Sequence, residues 1–191
     1  MPVKTWIGSE LNPLDGLFTL NEACLSEIGN AVSLIRDNPL PLLMLCPSNF
    51  HMPKCKELIN TVFDCLENGF GFCLLDRLPL EDMTDNEAKS IYWLLSQMLG
   101  RPVAQKWCDG RMLYSVTDLG RPSGNGVRPD VTNEEQSFHT DNSYNICPPN
   151  IVGLLCLQPS MSGGLSRVVN MKTVLEKMEI TNKTLIQRLY R

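Results

Sequence analysis

The chain has 191 residues, of which 43% are hydrophobic and 20% charged, and its formal net charge is -4. These values are typical of a globular protein of about one domain with a buried core. They give no electrostatic reason to expect nucleic-acid binding, which needs Lys and Arg clustered on one face. The N-terminus lacks a signal-peptide pattern, and no stretch approaches the ~18 apolar residues that span a bilayer. We therefore expect a cytoplasmic protein that contacts neither nucleic acid nor membrane.

The eight cysteines are scattered without any C-x-x-C pair. Most of them stand in apolar runs, which predicts reduced, buried thiols that behave as small hydrophobic side chains. A structural zinc site is not expected, because it needs paired thiolates on one tetrahedral ion.

Sequence patterns that mark the starts or ends of helices occur at three places in the first hundred residues. Capping boxes of the type Thr-x-x-Glu, at 19–22 and 84–87, predict the starts of two helices. Another helix is predicted between these two, with Pro53 in its first turn and Gly69 just past its end. This middle helix carries an apolar stripe, which we expect to pack on a sheet.

Short apolar runs predict the strands, and a polar loop rich in Gly and Pro separates two of them at 118–133. The predicted strands are 40–46, 70–75, 112–116, 151–157 and 165–170. Two further helices are expected at 171–178 and 184–191. The sequence thus predicts a mixed α and β protein.

The candidate chemistry centres on one of the two histidines, in the run Ser137-Phe138-His139-Thr140-Asp141. On an extended segment, residues two apart point to the same side, so the imidazole of His139 and the carboxylate of Asp141 can converge on one cation. This mixture of ligands suits iron(II) when a second histidine completes a facial triad. Alone the motif is weak, and a structural or surface pair remains an alternative.

The segments around this motif resemble the taurine-dioxygenase (TauD/TfdA-like) family of the clavaminate-synthase-like dioxygenases. After the H-x-D come Pro148-Pro149, an apolar run at 151–157 and the turn Gly163-Gly164-Leu165-Ser166. Upstream, 67–72 resembles the entry into the first strand of the family, and 99–102 resembles the end of the helix that follows. The resemblance spans about 54–191 and leaves 1–53 as an N-terminal helix and strand extension.

The resemblance implies that His139 and Asp141 ligate iron and that Ser166 hydrogen-bonds a carboxylate of the cosubstrate 2-oxoglutarate. The implied reaction consumes O2, releases succinate and CO2, and oxidises a small organic substrate, with hydroxylation as the expected outcome. No catalytic residue beyond the metal site is assigned. The substrate-binding residues stay open, although Asn142 and Tyr144 could face the pocket. The implied fold is α+β, with N-terminal helices packed on a partial double-stranded β-helix, or jelly roll, truncated at the C-terminus.

The sequence departs from the family pattern at the third iron ligand. The family has a histidine far downstream of the H-x-D, followed by an arginine that binds 2-oxoglutarate, whereas no histidine follows His139 here and His51 precedes the motif. We therefore expect the chain to be inactive alone and to be a fragment or one half of a split enzyme. Its protein partner would be a complementing C-terminal half or a second copy.

Two alternatives stay open. One is a non-catalytic remnant that acts through a partner, and the other is a cupin-like metal-binding module that does not use 2-oxoglutarate.

Overall fold

The computed structural model describes residues 4–105, 109–122, 124 and 126–189. The chain divides into two compact units, one formed by residues 1–99 with 167–191 and the other by residues 100–166. In the described part of the chain, no helix combines the length and the apolar character needed to cross a membrane.

The first unit holds the helices and two short strands. In chain order these are β1 (Leu17–Thr19), α1 (Glu22–Asp37), α2 (Pro53–Asn68), β2 (Leu74–Asp76), α3 (Asp85–Leu99), α4 (Met171–Thr181) and α5 (Lys183–Leu189). The strands pair in parallel, with Leu17 opposite Leu74 and Thr19 opposite Asp76. Strand β2 overlaps the end of the strand predicted at 70–75, whereas β1 was not predicted. The helices predicted at 171–178 and 184–191 are present, although residues 190 and 191 lie outside the described residues.

The core lies among α1, α2 and α3, which contact one another pairwise. Ile28 of α1 and Ile91 and Leu94 of α3 have no exposed surface, and Ile59 of α2 is 5% exposed. The prediction that the stripe of α2 packs on a sheet is therefore wrong. Two strands of three residues each offer too small a face, so α2 buries its apolar side against helices instead.

The predicted capping box of α3 is confirmed. The Glu87 N–H donates to Thr84 Oγ1 at 3.3 Å, and the Thr84 N–H donates to Glu87 Oε2 at 2.7 Å. The box predicted at 19–22 is wrong, because Thr19 belongs to β1 and Asn21 caps α1 by accepting from the Cys24 N–H at 2.9 Å.

Helix α2 begins at Pro53 and ends before Gly69, as predicted. Its first turn is capped from a neighbouring helix. Glu27 of α1 accepts from the N–H groups of Lys54 and Cys55, both at 2.9 Å. Burial alone would raise the pKa of Glu27, but these two donors hold that pKa below its ordinary value.

The strand predicted at 40–46 is wrong, since this segment forms a 3-10 turn at Leu42–Met44 instead. The Leu45 carbonyl, which a strand would direct to a neighbour, accepts from Trp93 Nε1 at 3.1 Å and Gln97 Nε2 at 2.9 Å. Pro41 also lacks the N–H that a ladder requires. The segment is consequently fixed to α3 by side chains.

The N-terminal segment is hydrogen-bonded to the segment that follows α2 and to the first turn of α4. Trp6 Nε1 donates to the Phe70 carbonyl at 2.8 Å, and the Trp6 N–H donates to Thr173 Oγ1 at 3.1 Å. Asn170, which is buried, caps α4 through the Thr173 N–H and donates to the Lys4 carbonyl at 2.9 Å. These bonds attach the start of α4 to residues far away in sequence.

The second unit is irregular over its described residues, where the one regular element is a 3-10 turn at Pro129–Val131. The structure has no strand at 112–116, 151–157 or 165–170, so these three predictions are wrong for the described residues. A strand requires a neighbour with which to form a hydrogen-bonded ladder, and no described segment pairs with them. The mixture of helices and few strands agrees with an α+β protein, while a partial jelly roll is not confirmed.

The described cysteines are all free, and they differ in exposure. Cys24 and Cys55 are buried as predicted, whereas Cys46, Cys147 and Cys156 are exposed. Burial raises the pKa of Cys73 to about 12. The prediction of buried thiols therefore holds only in the helical core, and Cys108 lies outside the described residues.

Candidate metal centre

The structure brings the side chains of His139 and Asp141 together in the second unit. His139 Nε2 lies 3.1 Å from Asp141 Oδ1. For adjacent ligands of one ion, with bonds of ~2.1 Å at right angles, the donor atoms lie ~3 Å apart. The spacing of these two atoms therefore fits two neighbouring positions on a divalent metal.

The second ring nitrogen of His139 has a fixed partner. Nδ1 lies 2.8 Å from the carbonyl oxygen of Ser137, to which an Nδ1–H donates. Nε2 is then the nitrogen that faces Asp141. Histidine ligands typically donate their other N–H to a carbonyl or carboxylate, which fixes the ring orientation. Sequence reasoning missed this role of Ser137, because a backbone carbonyl leaves no signature in residue type.

Both ring nitrogens of His139 therefore face oxygen acceptors. The Ser137 carbonyl, and then the Asp141 carboxylate, hold the pKa of His139 above its ordinary value. These acceptors favour the doubly protonated ring. A cation that replaces the Nε2 proton would keep the Nδ1–H bond to Ser137 intact.

The pair is accessible. The side chain of His139 is 52% exposed and that of Asp141 48% exposed. Among the described residues, no group of three or more His, Cys, Asp or Glu side chains is arranged to hold a metal ion. His51 lies in the first unit, just before α2. The described chain thus brings two candidate ligands together, His139 and Asp141.

The residue after the pair has an unusual backbone. Asn142 has a φ of 51°, the one positive value at a described residue other than glycine. Asn tolerates this left-handed conformation better than most residues. Its side chain accepts from the Tyr144 hydroxyl at 3.1 Å, and Tyr144 is 80% exposed. Asn142 and Tyr144 therefore lie at an open surface beside Asp141.

Ser166 follows a turn made by two glycines. Gly163 and Gly164 have φ values of 73° and 68°, which glycine alone adopts without strain. Ser166 is exposed, and its hydroxyl has no hydrogen-bond partner within the described residues. The structure thus records the tight turn expected there, but no bond that joins Ser166 to His139 or Asp141.

Comparison with known proteins agrees with the motif. Residues 38–191 match the family described as "Taurine catabolism dioxygenase TauD, TfdA family". The chain belongs to the TauD/TfdA family. This is an oxygenase-type enzyme family that uses Fe(II), 2-oxoglutarate and O2. The match begins at residue 38, whereas the sequence motifs indicated a resemblance from about residue 54.

One curated relative is FR-33289 synthase from Streptomyces rubellomurinus. It is 29% identical over 149 residues, which cover 77% of this chain and 42% of the synthase. The chain therefore spans less than half the length of that relative.

Proposed function

We propose that this chain carries part of the active site of an iron(II)- and 2-oxoglutarate-dependent dioxygenase, with His139 and Asp141 as iron ligands. The substrate is a small organic molecule, and hydroxylation is the proposed outcome, with release of succinate and CO2. The observation that carries the proposal is the 3.1 Å approach of His139 Nε2 to Asp141 Oδ1, with Nδ1 bound to a carbonyl. Family membership supports the same chemistry.

The residues of the chain have separate roles in this proposal. When bound, iron(II) together with 2-oxoglutarate supplies the means of activating O2. His139 gives up its Nε2 proton to become a ligand, while the Ser137 carbonyl keeps the ring oriented. Asp141 supplies one negative charge. The Ser166 hydroxyl donates to a carboxylate of 2-oxoglutarate, and the half-exposed pair leaves room for that cosubstrate.

The proposal includes a third ligand and a cosubstrate arginine from outside the described residues. Two ligands bind a divalent ion more weakly than three, and an unpaired cosubstrate carboxylate loses a charge-assisted bidentate interaction. We propose that a complementing segment or partner supplies both groups. The alternative of a remnant that acts through a partner predicts that such a complex forms without oxidation of any substrate.

An anaerobic titration of the purified chain with iron(II) and 2-oxoglutarate tests the site. The expected result is a weak visible charge-transfer band that is lost in His139→Ala and Asp141→Ala. His51→Ala is the matched control, because it removes the other histidine of the chain and should leave the band unchanged. Iron affinity that stays the same in His139→Ala would refute the site, and iron binding without any dependence on 2-oxoglutarate would favour the cupin-like alternative.

A further inference from the structure

Two thiols of the first unit lie beside each other where α2 ends and the chain turns toward β2. Cys65 stands in the last turn of α2, and Cys73 directly precedes β2. The Cys65 Sγ donates to the Phe72 carbonyl at 3.8 Å. The Cys73 Sγ donates to the Val62 carbonyl, one helical turn before Cys65, at 3.6 Å. Each thiol therefore contacts the segment that carries the other, and the two side chains also form a hydrogen bond with each other.

The turn between the two cysteines is held against the end of α2. The Cys65 carbonyl accepts from the N–H groups of Gly69 at 2.9 Å and of Gly71 at 3.3 Å. Gly71 has a φ of 75°, a conformation that glycine adopts without strain. A Cβ atom at Gly69 would lie only 2.7 Å from the Cys65 carbonyl oxygen, so the backbone passes close to the helix. The chain thus folds back on α2 and returns Cys73 to the side of Cys65.

A second pair of neighbouring thiols differs from this one in exposure. The Cys55 Sγ of α2 donates to the Cys24 carbonyl of α1 at 3.6 Å, and the two side chains are also hydrogen-bonded. Cys24 is 1% exposed and Cys55 has no exposed surface, whereas Cys65 and Cys73 are half-buried and free. Oxidation of a thiol requires access from solvent. Of these two pairs, Cys65 and Cys73 form the one that a dissolved oxidant can reach.

The two accessible thiols differ in how firmly they hold the proton. Burial, and then the hydrogen bond with Cys65, raise the pKa of Cys73 to about 12. Cys73 therefore keeps its proton at neutral pH. Peroxides react with thiolates rather than with thiols. The first oxidation is consequently expected at Cys65, and Cys73 is then the thiol that completes a bond.

We infer that Cys65 and Cys73 are a redox-reactive pair that hydrogen peroxide converts into a disulfide. In the first step the Cys65 sulfur takes one oxygen from the peroxide and becomes a sulfenic acid, and the other oxygen leaves as water. The Cys73 sulfur then attacks the Cys65 sulfur, and the sulfenic hydroxyl leaves with the Cys73 proton as a second water. Two thiols thus lose two electrons, and one peroxide is reduced to two waters. This step is independent of the proposed function, because no iron ligand takes part.

The disulfide would fix the turn to which the N-terminal segment is bound. Trp6 Nε1 donates to the Phe70 carbonyl, and the Trp6 ring meets the Phe72 ring edge-on, with centroids 5.3 Å apart. Both phenylalanines lie between the two cysteines. A bond across this turn removes unfolded conformations in which its ends are apart. The oxidised chain should therefore need a higher urea concentration to unfold than the reduced chain.

The test is treatment of the folded, metal-free 191-residue chain with hydrogen peroxide, followed by alkylation of the remaining thiols, trypsin cleavage and mass spectrometry. Both cysteines belong to one tryptic peptide, 57–77, because cleavage follows Lys56 and Arg77. The expected product is this peptide without alkyl groups and with two hydrogens fewer than the reduced form. Dithiothreitol should restore both thiols. A peptide that stays fully alkylated, or that is linked to a second copy of itself, would overturn the inference.

Serine variants test the separate roles of the two thiols. Cys73→Ser should stop at the sulfenic acid of Cys65, which dimedone traps, and its urea midpoint should not rise on treatment with peroxide. Cys65→Ser should leave Cys73 unmodified, because Cys73 keeps its proton. Trapping at Cys73 in the second variant, as fast as at Cys65 in the first, would overturn the assignment of the roles.

Cys24 and Cys55 are the matched control within the same sample. They are neighbours too, but they are buried, so they should stay reduced and become alkylated only after the chain is unfolded. Their oxidation at the rate of Cys65 and Cys73 would overturn the inference, because exposure would then not select the pair. His139→Ala should form the disulfide like the wild type, so failure of the iron site and failure of this inference are distinguishable.

Discussion

The guanidinium of Arg36 in α1 binds the carboxylate of Glu87 in α3 at two points. Arg36 Nε donates to Oε1 at 2.6 Å, and Nη2 donates to Oε2 at 3.1 Å. Glu87 is nearly buried, and it also accepts from the N–H of Thr84, the residue directly before α3. One carboxylate thus joins two core helices and caps one of them.

Glu87 should make the stability of the first unit depend on pH. The Arg36 guanidinium, helped by the Thr84 N–H, lowers the pKa of Glu87 from its ordinary value of 4.5 to about 2. A carboxylate whose pKa is lowered by folding stabilises the protein above its unfolded pKa, and this stabilisation is lost as the pH falls. The loss should therefore lie between pH 4.5 and about 2.

Urea unfolding measured across this pH range checks the prediction. The unfolding midpoint of the wild type should fall more steeply with decreasing pH than that of Glu87→Gln. Glu57→Gln is the control, because Glu57 pairs with Lys54 on the surface and is 70% exposed. In this variant the unfolding midpoint should depend on pH as steeply as in the wild type. Parallel curves for wild type and Glu87→Gln would contradict the prediction.

Removal of the cap that Glu27 provides for α2 should lower the free energy of unfolding. The carboxylate accepts from the N–H groups of Lys54 and Cys55, and loss of an N-terminal cap costs about 1 kcal/mol. Chemical denaturation of Glu27→Ala should show this decrease. Glu57→Ala, a change of an exposed residue near the same helix end, should cost less than about 0.5 kcal/mol. Equal effects in the two variants would mean that the cap contributes nothing specific.

Local sequence signals predicted the helices of this chain better than its strands. The capping box of Thr84 and Glu87 is complete within four consecutive residues, so the sequence alone contains the interaction. The cap of α2 comes from Glu27 on another helix, and no local pattern marks it. The strand expected at 40–46 fails for a similar reason, because Trp93 and Gln97 bind the Leu45 carbonyl from far along the chain.

At the candidate site, too, the contact between residues close in sequence was predicted, and the contact with a backbone group was not. The approach of His139 to Asp141 follows from residues two apart on one segment, and the sequence predicted it. The Ser137 carbonyl was not predicted, because a backbone group has no signature in residue type. Its role depends on how the backbone before His139 folds, which becomes apparent only in three dimensions.

The turn before Ser166 provides a test of the proposed cosubstrate contact. At Gly164 a side chain would meet both a φ of 68° and the hydroxyl of Ser160. Gly164→Ala should therefore cost about the ~1 kcal/mol that a left-handed backbone imposes on alanine, and it should also force the Ser160 side chain to turn away. Because the turn positions Ser166, the variant should also weaken binding of 2-oxoglutarate in the presence of iron(II).

Gly110→Ala is the matched control for this prediction. Gly110 has a φ of 64° with open space around the position of a Cβ atom, so the variant carries the backbone strain without a collision. Denaturation of both variants measures the cost of the backbone strain. Titration of both variants with 2-oxoglutarate measures whether a change in the position of Ser166 lowers the affinity for the cosubstrate. A loss of cosubstrate affinity in Gly164→Ala alone would support the role of the turn. Equal losses in both variants would assign the effect to general destabilisation and remove the support for Ser166 as a cosubstrate ligand.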